Sequence, residues 1–266
     1  MMINTRADLI PPETIPYEWA KKELVLDRSY RLGDNGPKVK KINEWLNFHH
    51  FDVAINQDFS NATETAVKNF QGKMGLPVNG VLNAATFQWL TEAMLRALTP
   101  LPAEGKTYND LIVGYARQHL NDKDYPREIG GNNLGPWVRL YLKGSEDQWC
   151  AGFVSFILLQ AAKTLNQTAP LPYIIGCDAL GKEARKKGIL VLENDLNETV
   201  IKQMPPGSIF LTKSNSKGKI WTHTGLVTEF QADRFKTIEG NSGHNSATVC
   251  SHNVPYSGYD FIKISI

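Results

Sequence analysis

Cysteine is scarce in this sequence, which holds three cysteines among 266 residues. Cys150, Cys177 and Cys250 are too few and too far apart for the disulfide framework of a small secreted domain. They also lack the short paired spacings of a structural zinc site. These spacings argue against a disulfide scaffold and against a metal centre. A single Cys177–Cys250 disulfide that leaves Cys150 free stays an open alternative.

Long apolar runs and a strong net charge are also missing. No stretch approaches the roughly 20 apolar residues that are needed to span a bilayer. The formal net charge of +2 is too small to argue for nucleic acid or an anionic membrane surface as a partner. Residues 1–25 lack the apolar core of a secretory signal. We therefore expect a globular protein that is made in the cytoplasm without a cleavable signal peptide.

The chain divides near residues 99–106, where the sequence TPLPAEGK interrupts helical patterning with two prolines and a glycine. We predict a linker over this stretch, between a first domain at residues 28–98 and a second domain at residues 107–266. Residues 1–27 are predicted to form an irregular arm over the surface.

The first domain combines helical apolar spacing with a short internal repeat. Residues 37–49 carry a helical pattern that begins at Pro37. The segments NQDFSNAT (56–63) and NGVLNAAT (79–86) resemble each other. In each, a turn-forming Asn leads through an apolar residue to polar residues that are suited to capping a helix. The pattern predicts a small three-helix module in which two loops repeat.

At these residues the sequence is similar to the peptidoglycan-binding module of many cell-wall hydrolases. The similarity is carried by RLGDNGPKVKKINEWL, TETAVKNFQGKMGLPVNG and ATFQWL. The first loop departs from the family, which usually has Asp-Gly and Phe-Gly where this chain has Asn56-Gln57 and Phe59-Ser60. The resemblance implies that peptidoglycan is a partner, and the departure bears on affinity more than on fold. The alternative is that the module serves only as a packing or spacer domain and does not bind peptidoglycan.

The second domain contains a cysteine at the start of an apolar helix. Residues 150–165 (CAGFVSFILLQAAKTL) are apolar on nearly every face, which is typical of a buried central helix. Cys150 would lie on the first turn, where backbone N–H groups and the helix dipole stabilise an anion. A free cysteine is more often a buried core thiol than a nucleophile. A nucleophile also requires a base and a group that orients the base.

Two strands downstream supply groups of those kinds. Residues 221–230 and 235–241 read as a hairpin, with His223 at the start of the first strand and with Glu239 and Asn241 at the end of the second. A three-residue loop would place His223 opposite Asn241 and on the same face as Glu239. A two- or four-residue loop would place His223 and Glu239 on opposite faces. A catalytic arrangement therefore requires an odd loop or a compensating bulge.

The motifs WCAGFVSF, PGSIF, HTGLV and TIEGN, in this order, resemble the CHAP domain, an NlpC-like cysteine amidase or endopeptidase. The resemblance covers roughly residues 107–266 and implies an α+β, papain-like fold, with a Cys-bearing helix packed on an antiparallel sheet. It implies Cys150 as nucleophile, His223 as base, Glu239 as the group that orients the base, and Asn241 as a supporting polar group. It implies no metal and no organic cofactor.

Other side chains have weaker claims to a role. Trp149 and Trp221 are predicted as substrate-binding residues, although Trp149 could equally belong to the core. His244 is a rival base. His119 is expected on the surface or in packing. Cys250 and His252 share one face of a predicted strand, but two ligands without partners make a weak metal site.

Together these features predict a peptidoglycan hydrolase that cleaves an amide of the stem peptide or cross-bridge. Without a signal peptide, we expect a phage lytic enzyme or an injected antibacterial toxin, with an immunity protein or a secretion-system component as a further partner. The site of action would be the wall, in the periplasm or outside the cell. The alternatives are an inert wall-binding adaptor and a cytoplasmic amidase acting on a small peptide conjugate.

Overall fold

The computed structural model describes residues 9–120, 125–214, 218–243 and 248–265. These residues form two compact units, one helical and one that combines helices with an antiparallel sheet. Unit 1 comprises the described residues up to Thr99 together with Glu128–Glu146, and unit 2 comprises those of Pro100–Arg127 and Asp147–Ile266. The sequence predicts residues 107–266 as one domain, whereas Glu128–Glu146 packs within unit 1.

The described residues form ten α-helices and one six-stranded sheet. The helices are α1 (Glu18–Leu24), α2 (Pro37–Phe48), α3 (Asn61–Lys73), α4 (Ala84–Leu90), α5 (Glu92–Leu98), α6 (Tyr108–His119), α7 (Pro136–Tyr141), α8 (Cys150–Thr164), α9 (Cys177–Lys186) and α10 (Glu198–Lys202). The strands are β1 (Leu190–Val191), β2 (Ile209–Lys213), β3 (Trp221–Phe230), β4 (Arg234–Ser242), β5 (Thr248–Pro255) and β6 (Tyr259–Ile262). Across the described ranges, none of the helices is long and apolar enough to cross a membrane.

In unit 1 the repeated loops end in helix caps, as the sequence predicts. The side chain of Ser60 accepts a hydrogen bond from the backbone N–H of Thr63 at the start of α3. Asn83 accepts the equivalent bond from Thr86 at the start of α4. These bonds satisfy backbone donors that have no partner within the helix. With α2, the two capped helices give the predicted three-helix arrangement.

Each repeated loop is also held by a buried amide from the preceding helix. The Asn43 side chain, on α2, donates to the carbonyl of Asn56 at 3.1 Å. The Gln71 side chain, on α3, accepts from the backbone N–H groups of Asn79 and Gly80, each at 3.0 Å. A buried amide with these partners fixes the loop backbone, because leaving a buried polar group without a bond is costly.

The predicted irregular arm contains a helix. Residues 18–24 form α1, whose Ala20 and Leu24 are buried in unit 1. Glu23 is also buried and accepts hydrogen bonds from the Arg139 guanidinium at 2.8 and 2.9 Å. The expectation of an irregular arm is therefore wrong over this stretch, because α1 buries an apolar face and one charged residue that has a partner.

Arg139, on α7, connects two buried carboxylates of unit 1. It also bonds Glu44, on α2, at 2.5 Å, and 3% of the Glu44 side chain is exposed. Burial would raise the pKa of Glu23, but hydrogen bonds and positive charge from Arg139 and Lys41 hold it below its usual value. Arg139 thus compensates the cost of burying Glu23, whereas at Glu44 burial outweighs the effect of Arg139 and raises the pKa.

Arg139→Leu should lower the stability of unit 1 by about 3 kcal/mol, because it leaves two carboxylates buried without their main partner. Urea denaturation of the full chain, followed by the fluorescence of tryptophans that include Trp45 and Trp137, measures this loss. Lys68→Ala is the matched control. It breaks an ion pair with Glu64 that is more exposed, and such pairs contribute less than about 1 kcal/mol. Equal shifts for the two variants would show that the Arg139 cluster is not specially stabilising.

Unit 2 is built on an antiparallel sheet with the strand order β1-β6-β2-β3-β4-β5. The predicted strand at 221–230 is observed with those bounds as β3, and the strand predicted at 235–241 is β4. Helix α8 packs against both of these central strands. Its predicted burial is confirmed, since twelve of its fifteen residues are buried.

The buried polar side chains of α8 all have partners. Ser155 donates to the carbonyl of Ile174 at 2.6 Å and accepts from the N–H of the same residue at 3.0 Å. Gln160 bonds the ring of His119 at 2.9 Å. His119 is buried in packing, which is one of the two environments expected for it. The Ser155 bonds fasten the segment before α9 to the middle of α8.

Candidate active site

Cys150 is the first residue of α8, and Trp149 is the N-cap. The sequence therefore locates this thiol correctly on the first turn of the buried helix. Only 5% of the residue is exposed. The backbone N–H of Ala151 forms a hydrogen bond to the Cys150 sulfur that lowers its pKa. A helix N-terminus offers such donors and a partial positive charge, both of which favour a thiolate.

His223 and Glu239 are brought together by the β3–β4 hairpin. The His223 Nε2 and Glu239 Oε2 atoms lie 2.9 Å apart. Near the turn, Phe230 pairs with Phe235. This register alone would place the side chains of His223 and Glu239 on opposite faces of the hairpin. A bulge between Val227 and Glu229 then shifts the ladder by one residue. The expected compensating bulge is thereby confirmed, and it restores the shared face.

The Glu239 carboxylate is held in its charged form. Burial raises its pKa, but hydrogen bonds from His223 and Thr237 and the charge of His223 lower it below the usual value. Thr237 Oγ donates to Glu239 Oε1 at 2.5 Å, so each carboxylate oxygen has a side-chain partner. Glu239 can therefore orient the imidazole and stabilise its positive charge.

Cys150 and His223 interact closely enough that each shifts the pKa of the other. Burial would lower the pKa of His223, but hydrogen bonds and charge from Cys150 and Glu239 raise it to about 9. The pKa of Cys150 is lowered well below its usual value, first by a hydrogen bond with Cys177 and then, against the effect of burial, by His223. These shifts favour a thiolate on Cys150 beside an imidazolium on His223.

Cys177 is a member of this site that the sequence analysis missed. Its sulfur lies 3.4 Å from the sulfur of Cys150. The hydrogen bond with Cys150 and burial both raise the pKa of Cys177, so it keeps its proton and donates to the Cys150 thiolate. The alternative Cys177–Cys250 disulfide is wrong, since all three cysteines are free. Sequence spacing carries no signal for the contact, because the start of α9 meets the start of α8 only in the folded unit.

Two glycines allow the close packing on which the site depends. A Cβ atom on Gly240 would lie 2.6 Å from the Cβ of Phe153 and 2.7 Å from the Trp149 ring. A Cβ atom on Gly225 would lie 2.9 Å from the Cγ of Glu239. Real side chains do not approach this closely, so glycine lets β4 pass against the start of α8 and leaves room for the Glu239 side chain.

Asn241 lies at the end of β4, next to the triad residues. Its backbone has a φ of 58°, in the left-handed region that Asn tolerates better than most residues. It falls within a register irregularity of the β4–β5 ladder, between Glu239 and Ser242. The supporting role expected for Asn241 stays a prediction, and the hydrogen bond that orients His223 comes from Glu239.

The two tryptophans predicted to bind substrate are core residues. Trp149 is fully buried, and Trp221 is 1% exposed. Trp221 donates from its ring N–H to Asp260 at 2.9 Å, and its backbone N–H donates to Asp178 at 2.8 Å. The assignment of both to a substrate cleft is corrected on this ground, because neither presents surface to a ligand. Their effect on the site is through packing.

Cys250 and His252, on β5, contact each other beside Glu239, with which Cys250 pairs across the β4–β5 ladder. His252 Nε2 lies 3.1 Å from the sulfur of Cys250 and 3.3 Å from Ser242 Oγ. In the part of the chain that the structure describes, no group of three or more His, Cys, Asp or Glu side chains could hold a metal ion. His244, the rival base, lies outside the described residues.

Comparison with known proteins identifies the N-terminal segment. Residues 35–90 match a family model described as "Putative peptidoglycan binding domain". A solved structure, described as the crystal structure of the SleB N-terminal domain, also matches this chain. The two sequences are 32% identical, the match covers 26% of this chain and 94% of that chain, and the TM-score is 0.25. No curated protein matches the chain. The chain thus carries an N-terminal peptidoglycan-binding domain, which supports peptidoglycan as a partner and an association with the cell wall.

Proposed function

We propose that this protein is a peptidoglycan hydrolase that cleaves an amide bond of the stem peptide or cross-bridge through Cys150. The observation that carries the proposal is the Cys150–His223–Glu239 arrangement, in which a thiol at a helix start pairs with a histidine oriented by a carboxylate. Nucleophile, base and orienting group in mutual contact are the geometric requirement for cysteine acyl transfer.

The fold of unit 2 supports a papain-like, CHAP-type domain. The cysteine-bearing helix α8 packs on the central strands of an antiparallel sheet, and the histidine and the carboxylate come from those neighbouring strands. This arrangement is the one that the sequence resemblance implies. Because fold alone does not determine activity, the proposal rests on the side chains rather than on the architecture.

In the first half of the reaction, the Cys150 thiolate attacks the carbonyl carbon of the scissile amide. The oxyanion that forms would accept hydrogen bonds from backbone N–H groups at the start of α8. The His223 imidazolium then donates its proton to the departing amine, and a thioester remains on Cys150. Glu239 stays ionised and holds the ring in position throughout.

In the second half, neutral His223 removes a proton from a water molecule that attacks the thioester. The carboxylic product leaves, and the thiolate–imidazolium pair forms again. The His223 side chain is 26% exposed, so the site opens to solvent on the side of this residue. Each of these steps uses only side chains, backbone groups and water.

The peptidoglycan-binding domain would act by proximity. Binding to the wall through residues 35–90 raises the effective concentration of unit 2 near the bonds it cleaves. This gain needs no contact between the binding domain and the reacting amide. Removal of the domain would therefore weaken the action on intact walls more than the action on a soluble muropeptide.

We propose the wall as the place of action, in the periplasm or outside the cell, since the substrate lies there. Release by a phage lysis system or injection by a specialised secretion system would deliver the protein. In the second case an immunity protein in the producing cell, or a component of the secretion system, would be a further partner.

Mass spectrometry of purified peptidoglycan digested with the full chain tests the proposal. We expect fragments with new amine and carboxyl termini, whose masses identify the cleaved amide. Cleavage between the glycan and the stem peptide would define an amidase, and cleavage within the peptide would define an endopeptidase. Intact walls from several bacterial types after prolonged digestion would contradict the proposal and favour the inert adaptor or a soluble substrate.

A further inference from the structure

Two free thiols lie in contact at the centre of unit 2. The sulfur atoms of Cys150 and Cys177 are 3.4 Å apart, and each cysteine is the first residue of its helix, α8 or α9. The proposed hydrolytic mechanism uses only one of them as a nucleophile. A second thiol at this distance can react with the first after a small displacement.

The position of Cys177 is fixed from both sides. Ser155 on α8 forms two hydrogen bonds with Ile174, shortly before α9 begins. Asp178, the residue after Cys177, accepts from the backbone N–H groups of Ile220 and Trp221 at 2.9 and 2.8 Å. These bonds hold the start of α9 against α8 and the start of β3, so the contact between the thiols belongs to the packed structure.

We propose that Cys150 and Cys177 form a reversible disulfide that switches off the nucleophile, with a small-molecule disulfide of the glutathione type as the oxidant. The site is thereby a redox-modification site as well as a hydrolytic one. Loss of activity on oxidation rests on the proposed function, whereas formation of the disulfide does not.

The chemistry proceeds by two thiol–disulfide exchanges. The Cys150 thiolate attacks one sulfur of the oxidised reagent, which forms a mixed disulfide on Cys150 and releases one reagent thiolate. Cys177 then attacks the Cys150 sulfur of the mixed disulfide. Its proton passes to the departing second reagent sulfur, and the Cys150–Cys177 bond remains. The two protein sulfurs lose two electrons in total, and the reagent disulfide gains them.

The order of these steps follows from the charges at the site. In the reduced protein the Cys150 thiolate keeps Cys177 protonated, because its hydrogen bond and its charge raise the pKa of Cys177. A mixed disulfide on Cys150 carries no charge. Both of these effects then disappear, and Cys177 becomes a better nucleophile only after Cys150 has reacted. The pair thus acts as an attacking thiol and a resolving thiol.

Cys250 is not a third partner in this exchange. It lies on β5, where its sulfur contacts the ring of His252 at 3.1 Å. Since Cys250 is also half-buried and free, it provides an internal control for nonspecific oxidation.

The test is peptide mapping of the full chain after equilibration with reduced and oxidised glutathione at several ratios. We expect a Cys150–Cys177 linked peptide that disappears on treatment with dithiothreitol, and a Cys250→Ala variant that behaves identically. Cys177→Ser should give only the mixed disulfide with glutathione at Cys150. Absence of the linked peptide in oxidised wild type, or an equal yield of Cys150–Cys250 peptides, would overturn the proposal.

Wall hydrolysis measured on the same samples separates this proposal from the proposed function. We expect activity to fall by more than about tenfold as the linked peptide accumulates, because the nucleophile is consumed, and to return with dithiothreitol. A linked peptide in a protein that is inactive even when reduced would support the redox site and contradict the hydrolase. Full activity in a completely linked protein would contradict the switch.

Discussion

Cys150→Ala is expected to lower the rate of peptidoglycan hydrolysis by about 10⁴-fold or more. Removing the nucleophile of a catalytic triad costs nearly as much as removing the whole triad, because the members act as a unit. The rate is measured by the release of soluble fragments from labelled walls. The thiol is buried at the start of α8, and alanine occupies less space, so the unit should still fold.

Cys250→Ala is the matched control for this variant. It removes a free, half-buried thiol from the same unit, on strand β5 rather than on helix α8. We expect its rate to stay within about twofold of wild type. Cys250 pairs with Glu239 across the β4–β5 ladder, but its thiol contacts His252 rather than the Glu239 carboxylate. Similar losses in both variants would indicate damage to the fold rather than loss of a nucleophile. Activity of Cys150→Ala above a trace would exclude the proposed mechanism.

The second large effect is expected for His223→Ala, which should lower the hydrolysis rate at pH 7 by about 10³-fold or more. This variant removes the base and the acid of both half-reactions, which together contribute about 10²–10⁴-fold. It also removes the positive charge that lowers the pKa of Cys150. The remaining activity should therefore rise with pH at a higher pH than in wild type, while the hydrogen bond with Cys177 still lowers the pKa of Cys150.

His252→Ala is the matched control for the histidine. His252 lies on β5 and contacts Cys250 and Ser242, outside the triad. Its removal should change the rate by less than about tenfold, since it influences the site only through a weak charge effect on Glu239. A larger loss in His252→Ala than in His223→Ala would show that His223 is not the base.

The local features of the site were predictable from the sequence. Apolar residues on nearly every face predicted the buried helix α8, and two segments joined by a short polar loop predicted the strands β3 and β4. Because the hairpin is local in sequence, its geometry also predicted that His223 and Glu239 could share a face only with an odd loop or a bulge. The bulge beside Thr228 meets that condition.

The parts that were not predictable are contacts between distant segments. Cys177 reaches Cys150 because Ser155 and Asp178 hold the start of α9, and no local pattern encodes that meeting. Trp149 resembled a cleft residue from its position beside the thiol, but Gly240 leaves the space in which its ring is buried. Arg139 lies far along the chain from Glu23, so sequence spacing could not predict the ion pair between them.

The most direct test of the central claim, an activated thiolate at Cys150, is the rate of its alkylation by iodoacetamide as a function of pH. Peptide mass spectrometry follows each cysteine separately, and Cys250 provides an internal reference because burial raises its pKa. The pKa of Cys150 is lowered well below its usual value, whereas the pKa of Cys250 is raised. We therefore expect Cys150 to react faster than Cys250 at pH 7, and its rate to rise less steeply than that of Cys250 between pH 6 and pH 8. A parallel rise for Cys150 and Cys250 would show an ordinary buried thiol and would contradict the account.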